Sequence, residues 1–247
     1  METIDISIHS LLFGFLLLIV PVVLSRMYGL GLIRPIFSSA ARMTVQLVLI
    51  GVFLKYLFLW NNALINLLWL IVMISVAVFS AVGGSSMKPG KIAVPVFVSF
   101  ALATLSVVFY INIFVIRLDY VFDARYLVVL GGMLLGNSLR GNIVGIDTFY
   151  RSLRKDAKKY QYVLSLGAAQ YEAVRPYMKE SVLLALKPTI AAMATIGIVA
   201  LPGMMTGVIL GGAGPEVAIK YQIMIMIGIL VSTAISMTAP NTTAKSS

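Results

Sequence analysis

An all-α, polytopic transmembrane helical bundle is the fold class this sequence predicts, and three observations carry the prediction. Hydrophobic residues make up 60% of the chain and charged residues only 11%, against about 25% charged in soluble domains. Mean hydropathy is +0.99. The apolar residues gather in runs of about twenty, the length a helix needs to cross ~30 Å of hydrocarbon, without the alternation a membrane β-barrel requires. The 247 residues read as a single transmembrane domain of about seven spans, interrupted by one hydrophilic loop over residues 148–187.

The opening METIDISIHS carries no basic stretch ahead of the first apolar run, and no small-residue cleavage pattern follows Leu24. That run is therefore expected to be a retained helix. Spans are expected at residues 8–24, 39–59, 64–82, 92–116, 126–144, 181–201 and 218–237. Fifteen of the 19 Lys and Arg residues then fall on one side, and four (Lys55, Arg117, Arg125 and Lys220) on the other. By the positive-inside rule the N-terminus is expected outside and the C-terminus in the cytoplasm of a plasma-membrane protein. The net charge of +10 follows from the same rule, so no nucleic-acid partner is implied.

Several chemistries are excluded early. There is no cysteine, and His9 is the one histidine, so neither a disulfide framework nor a His or thiolate metal centre fits. The nearest approach to a phosphate-binding loop is GSSMKPGK, residues 84–91. It has one residue too many between its glycines, and Ile92 stands where a Mg²⁺-holding Ser or Thr is needed. It reads as a basic turn. No cofactor is expected, and the chain is not expected to be an enzyme; any ATP hydrolysis belongs to a partner.

In the second span, ARMTVQLVLIG, Arg42 and Gln46 are four apart and share a helix face. Gln46 lies about a turn into the bilayer and should seek a polar partner, whereas Arg42 can snorkel to the headgroups. The fifth span, GGMLLGNSLRGNIVG, carries two small-xxx-small pairs, Gly132/Gly136 and Gly141/Gly145, which allow close helix approach. Asn137 is either a hydrogen-bonding link between helices or a polar point on a pathway; Asn142 lies near the cytoplasmic end.

The loop holds eight of the 19 basic residues and three acids. Leu153, Ala157, Tyr160 and Leu164 recur at helical spacing among basic residues, as in a helix lying on anionic lipid or a continuation of the fifth span. In LSLGAAQYEAVRP, Gly167 interrupts helix propensity, residues 168–174 suit a short helix, and Pro176 suits the first turn of a new one. A short helix between two breaks can enter a groove on another protein, and this one resembles the coupling helix of ABC-transporter permeases. Beyond the sixth span, Pro202-Gly203 should break the helix, and broken backbone at membrane depth has to be covered by protein or line a cavity. Met204 and Met205 there are packing residues or soft ligands. Glu216 and Lys220 suit an exposed helical ion pair, and a seven-residue, mostly polar tail follows Pro240.

ARMTVQL (41–47), GMLLGNS (132–138), LSLGA (164–168), ALPGMMTG (200–207) and IKYQIM (219–224) together resemble the Fet-type iron-export permease family. These are ABC permeases whose plant relatives are aluminium-tolerance proteins. The resemblance runs through nearly the whole chain in order; Gly214 departs from it, where a polar residue is expected. It implies a permease homodimer in membrane lipid, driven by a separately encoded cytoplasmic ATPase subunit. Coupling to that subunit would fall to Leu164, Gly167, Ala168, Gln170, Tyr171, Glu172 and Pro176. The substrate path or gate would involve Arg42, Gln46, Asn137, Pro202, Gly203, Met204, Met205 and Gln222. The implied substrate is iron or another metal, with a nucleotide-sugar or metal chelate as the alternative. A hard cation wants oxygen ligands, yet carboxylates are missing from the spans, so no metal ligands are assigned and passage as a chelate is a reading the composition allows. An ion-coupled secondary transporter would need ionisable residues deep in its helices; a scaffold would give no reason for a broken sixth span.

Overall fold

Pro21 sets the shape of the first transmembrane segment. In the computed structural model, which describes residues 6–83 and 89–243, α1 (Ile8–Phe15) and α2 (Ile19–Met27) are joined by a single 3₁₀ turn, Leu16–Leu18. Proline has no N–H for the carbonyl four residues back and crowds it; here that carbonyl belongs to Leu17, inside the 3₁₀ turn. Ser7 caps α1, its Oγ accepting from Ser10 N at 3.2 Å. The backbone N–H of Leu32 donates to Ser25 Oγ at 2.9 Å, holding the bend into α3 (Ile33–Trp60). The described residues up to Trp60, with Leu210–Gly212, form one compact unit. Within it most large apolar side chains are exposed, among them Leu12, Phe13, Leu17, Val48 and Leu49, as lipid-facing helices require.

The second unit, Asn61–Ile209 and the residues from Ala213 on, has a packed core. It comprises α4 (Ala63–Gly83), α5 (Pro89–Tyr110) continued by a π-helical turn (Ile111–Ile116), α6 (Ala124–Lys155), α7 (Ala157–Ser165), α8 (Gln170–Thr195), α9 (Gly203–Leu210) except its last residue, and α10 (Pro215–Thr243). Helix α6 sits centrally, touching α4, α5, α8 and α10. Leu70 and Ile74 of α4, Phe100 and Val108 of α5, Leu127 and Leu134 of α6, and Met237 of α10 are almost fully buried in one cluster. At about 1.5 Å per residue α6 is about 48 Å long, well beyond a ~30 Å hydrocarbon core.

A polar clasp closes one end of this unit. Asn66 is fully buried, and its Nδ2 donates to Phe122 O at 2.8 Å and Asn61 Oδ1 at 3.3 Å. Asn61 Oδ1 also accepts from Ala124 N at 2.8 Å, and Asn61 Nδ2 donates to Asp123 Oδ2 at 3.3 Å. Asp123 caps α6 through Arg125 N at 2.8 Å. Asn112, also fully buried, donates to Val121 O at 3.0 Å and so anchors the α5–α6 connection at the π turn.

Most expected spans are present, with ends shifted by a few residues. Among the described residues six helices are long and apolar enough to cross a membrane, so the count of about seven is approximate. The expected span 181–201 is the exception. Its helix starts earlier, at Gln170, and stops at Thr195, because Gly197 turns the chain with φ +85°. Residues 84–88 of GSSMKPGK lie outside the described residues, as do 244–247 of the tail; α10 itself runs through Thr243.

Candidate functional site

Helix α8 links the two regions singled out in the sequence. Its N-terminal end follows a sharp turn. Helix α7 ends as Gly167 N donates to Leu164 O at 3.0 Å and Ala168 N to Val163 O at 3.4 Å, the paired bonds of a Schellman motif with glycine in the left-handed position. Gly167 has φ +88° and open space around it. Ala169 then begins α8, its N–H bonded to Glu172 Oε2 at 3.1 Å. Gln170, Tyr171, Glu172 and Pro176 are exposed, and Leu164 and Ala168 half-buried. An L-residue in the left-handed region costs about 1–2 kcal/mol. Gly167→Ala is therefore expected to lower unfolding stability by about 1 kcal/mol in a thermal or denaturant melt, through the backbone alone.

The expected short helix at 168–174 with a new start at Pro176 is corrected: Pro176 lies inside α8, as does Pro188. Local propensity opposes this by about 3 kcal/mol per proline, but the helix face is held by tertiary contact. Val174 and Tyr177 pack with Phe149 of α6, and Leu153 and Tyr160 close over them. Burial raises the pKa of the Tyr177 phenol, and the Asp156 carboxylate beside it, hydrogen-bonded to it, raises it further. The fifth span does continue past residue 144, as α6, to Lys155. The lone break before α7 is at Asp156, whose N–H donates to Ser152 O at 3.0 Å.

Next along α8 comes a close seam with α6 and α10. A Cβ at Gly141 would lie 2.5 Å from the carbonyl oxygen of Ala185 and 3.2 Å from Thr233 Cγ2; one at Gly145 would lie 2.5 Å from Met237 Cε and 3.0 Å from Ala185 Cβ. Ser181 Oγ donates to Gly145 O at 2.6 Å. Ser236 Oγ donates to Asn142 Oδ1 at 2.9 Å, and Ser152 Oγ to Glu180 Oε2 at 3.2 Å. The glycine pairs were visible in the sequence; Ser181, Ala185 and Ser236 were not, because small residues scattered in apolar runs carry no spacing signal. The other pair divides: a Cβ at Gly132 would meet Met73 Cε at 2.9 Å, while Gly136 has nothing within 4 Å.

At the far end of α8, residues 196–202 leave the helix. Gly197 N donates to Ala200 O at 3.0 Å, and Ile198 and Val199 at the tip are 89% and 77% exposed. The break thus precedes Pro202-Gly203, which instead opens α9. Beside it lies a cavity of about 490 Å³ lined by Met193 and Ile196 at the end of α8, Pro202, Met205 of α9, and Gln222 and Met226 of α10. Gln222 is 6% exposed, and its Oε1 has no hydrogen-bond partner among the described residues.

Three of the residues assigned to a path by resemblance, Pro202, Met205 and Gln222, thus share one cavity. Met204 packs against the main core instead, and Gly203 is exposed. Asn137 is exposed and its Nδ2 donates to Met133 O of its own helix at 2.8 Å. Arg42 and Gln46 are exposed on α3 of the first unit. Glu216 and Lys220 do not form the expected ion pair; a salt bridge is instead present at Arg151–Asp147, 2.6 Å. Lys220 borders a groove between α5 and α10. No group of three or more His, Cys, Asp or Glu side chains capable of holding a metal occurs among the described residues.

Comparison with known proteins gives consistent matches along the chain. A family model described as "Uncharacterised protein family (UPF0014)" matches residues 8–246. The "Probable iron export permease protein FetB" of Escherichia coli is 30% identical over 240 residues, covering 96% of this chain and 90% of its own. "UPF0014 membrane protein YjkA" of Bacillus subtilis is 27% identical over 232 residues, 92% of this chain and 89% of its own. "Protein ALUMINUM SENSITIVE 3" of Arabidopsis thaliana is 29% identical over 214 residues, 86% of this chain and 77% of its own. No solved structure matches.

Proposed function

The chain belongs to the UPF0014 family of membrane proteins, and from that premise we propose that it is the membrane-spanning subunit of an ATP-driven exporter. Two copies would sit in the membrane, each engaged by a separate cytoplasmic ATPase subunit. The relative named as a probable iron export permease makes iron or another metal the first substrate class to test.

One observation carries the reading: α8 is a single helix of 26 residues, about 39 Å, that begins at the exposed Gly167 turn and ends at the cavity. A partner holding Leu164, Gly167, Ala168, Gln170, Tyr171, Glu172 and Pro176 would move the far end of α8 with the near end, because α8 is locked to α6 at Gly141, Gly145 and Ser181. The overlong α6, with Arg151, Arg154 and Lys155 near its end, would carry the turn clear of the headgroups. A cytoplasmic location for this basic end accords with the positive-inside rule. ATP binding in the partner then shifts the inward–outward equilibrium by its differential affinity for the two states. Arg42, Gln46 and Asn137 are candidates for the remainder of the path, and the exposed apolar faces of α1–α3 would meet lipid or the second permease copy.

The test is co-purification from native membranes in mild detergent, read by mass spectrometry. The expected result is a stoichiometric ABC-type ATPase bound to the wild type and at least tenfold depleted from a Gln170→Ala, Tyr171→Ala double variant that melts at the wild-type temperature. Capture of no ATPase by the wild type would remove the exporter reading in favour of an ion-coupled transporter. Undiminished capture by the variant would move the docking surface elsewhere.

A further inference from the structure

The outward face of α8 carries charge that nothing in the chain answers. Arg175, Lys179 and Lys187 are exposed along it, and none of them pairs with a carboxylate among the described residues. We propose that this face binds an anionic phospholipid, in the orientation proposed above one of the cytoplasmic leaflet. The three cations hold the headgroup, and the apolar side chains beside them hold the acyl chains.

Residues four apart on a helix stack into a ridge, and Arg175, Lys179, Leu183 and Lys187 make one such ridge on α8. Between it and the next ridge, which carries Leu186 and Ile190, runs a groove of about 420 Å³. Leu183 and Ile190 are 50% and 52% exposed, so the cations stand over open apolar surface. The two acids of α8 are engaged elsewhere, Glu180 accepting from Ser152 Oγ and Glu172 from Ala169 N. Depth then selects the occupant. Ala185 packs on Gly141, about 26 Å along α6 from its first residue and so near the edge of a ~30 Å hydrocarbon core. Lys187 starts just inside that edge, and Lys179 about 12 Å nearer the basic end. Helical side chains lean toward the helix N-terminus, so the Lys187 stem returns its ammonium toward headgroup level. A soluble protein could reach Arg175 but not the deeper half of the groove. A second copy, related by a two-fold axis along the membrane normal, would set each cation against its own kind at the same depth, and like charges repel. A free anion would use the cations and leave Leu183 and Ile190 unmatched. A phospholipid uses both, and basic residues beside a membrane are what anionic headgroups attract.

The experiment is native mass spectrometry of the full-length protein in detergent, with dioleoylphosphatidylglycerol or dioleoylphosphatidylcholine added. The acyl chains are identical, so only the headgroup differs. The wild type should retain the anionic lipid at least about fivefold more than the zwitterionic one. Replacing both lysines, Lys179→Gln with Lys187→Gln, should lower that retention at least about tenfold, since each cation near anionic headgroups is worth about fivefold. Retention of the zwitterionic lipid should not change. The charge-keeping pair Lys179→Arg with Lys187→Arg should bind as the wild type does. So should Lys158→Gln with Lys159→Gln on α7, which removes the same charge from another exposed face. Equal retention of both lipids by the wild type, or an equal fall in the α7 variant, would overturn the proposal. So would displacement of the lipid by millimolar inorganic phosphate, the mark of a free-anion site, or a dimer lost with the glutamine pair, the mark of a subunit seam. The ATPase capture experiment is independent of this one. Capture lost with lipid retention intact removes the exporter reading and leaves the lipid site; the reverse removes only the lipid site.

Discussion

Gly141→Ala is expected to lower unfolding stability by about 1–3 kcal/mol, read as a fall in melting temperature of the detergent-purified protein. The added methyl would stand 2.5 Å from the carbonyl oxygen of Ala185. Backbone cannot rotate away as a side chain can, so α8 has to move off α6 as a whole. Loss of contact would spread to the Ser181–Gly145 hydrogen bond and to Thr233 on α10. Gly136→Ala, four residues beyond Gly132 and with nothing within 4 Å, is the internal control. Removing a helix-interior glycine there should be neutral or stabilising by up to about 1 kcal/mol. Equal destabilisation by the two substitutions would show that close approach at Gly141 is not the cause.

Asn66→Leu carries the second large effect, a loss of about 1–2 kcal/mol. The side chain is similar in size, so little cavity is made. What is lost is the bond to Phe122 O, in a place water does not reach, where a buried group left unpaired costs about 1–3 kcal/mol; Asn61 Oδ1 keeps its bond from Ala124 N, and the unpartnered Asn66 Oδ1 goes with the side chain, which offsets part of the loss. Asn61→Gly keeps the backbone free to hold φ +38° while deleting the bonds to Ala124 N and Asp123. Because the two residues share one network, the double variant should be less destabilised than the sum, by at least about 0.5 kcal/mol. Strict additivity in denaturant or thermal melts would mean that the clasp does not act as a unit.

The helices with uninterrupted apolar runs were legible in the sequence, because length and hydropathy alone decide them: α3, α4 and α10 fall within a few residues of expectation at most ends. Gly141 and Gly145 were legible as a seam, since spacing reports a shared helix face. Gly167 was legible as a break, and the Schellman bonds supply its geometry. Helix α8 was not legible as one helix: the part from residue 181 was expected as a span, but Gly167 and Pro176 argue locally for a short separate helix before it. What overrides them is burial of Val174, Tyr177, Ser181 and Ala185 against other helices, a tertiary term that no local window contains. The cavity was legible only in pieces: Pro202 and Met205 stood close together, but Gln222 reaches them through the packing of α10. The clasp went unseen because single asparagines near helix ends look like ordinary caps.

The clasp also fixes an order of events in assembly. Asn61 and Asp123 are 62 positions apart, so their bond closes a loop that contains all of α4 and α5. Loop-closure entropy must be met before such a contact gives anything back, and distant contacts form late where topology sets the pace. During synthesis α4 and α5 are therefore in the bilayer, unlatched, before residues 122–124 arrive. The Asn112 anchor, only nine positions from Val121, can form first and hold the connection near its station. A chain interrupted after the π turn would have its hairpin inserted but still open, which makes completion of the latch a marker for when the bundle commits to its final topology.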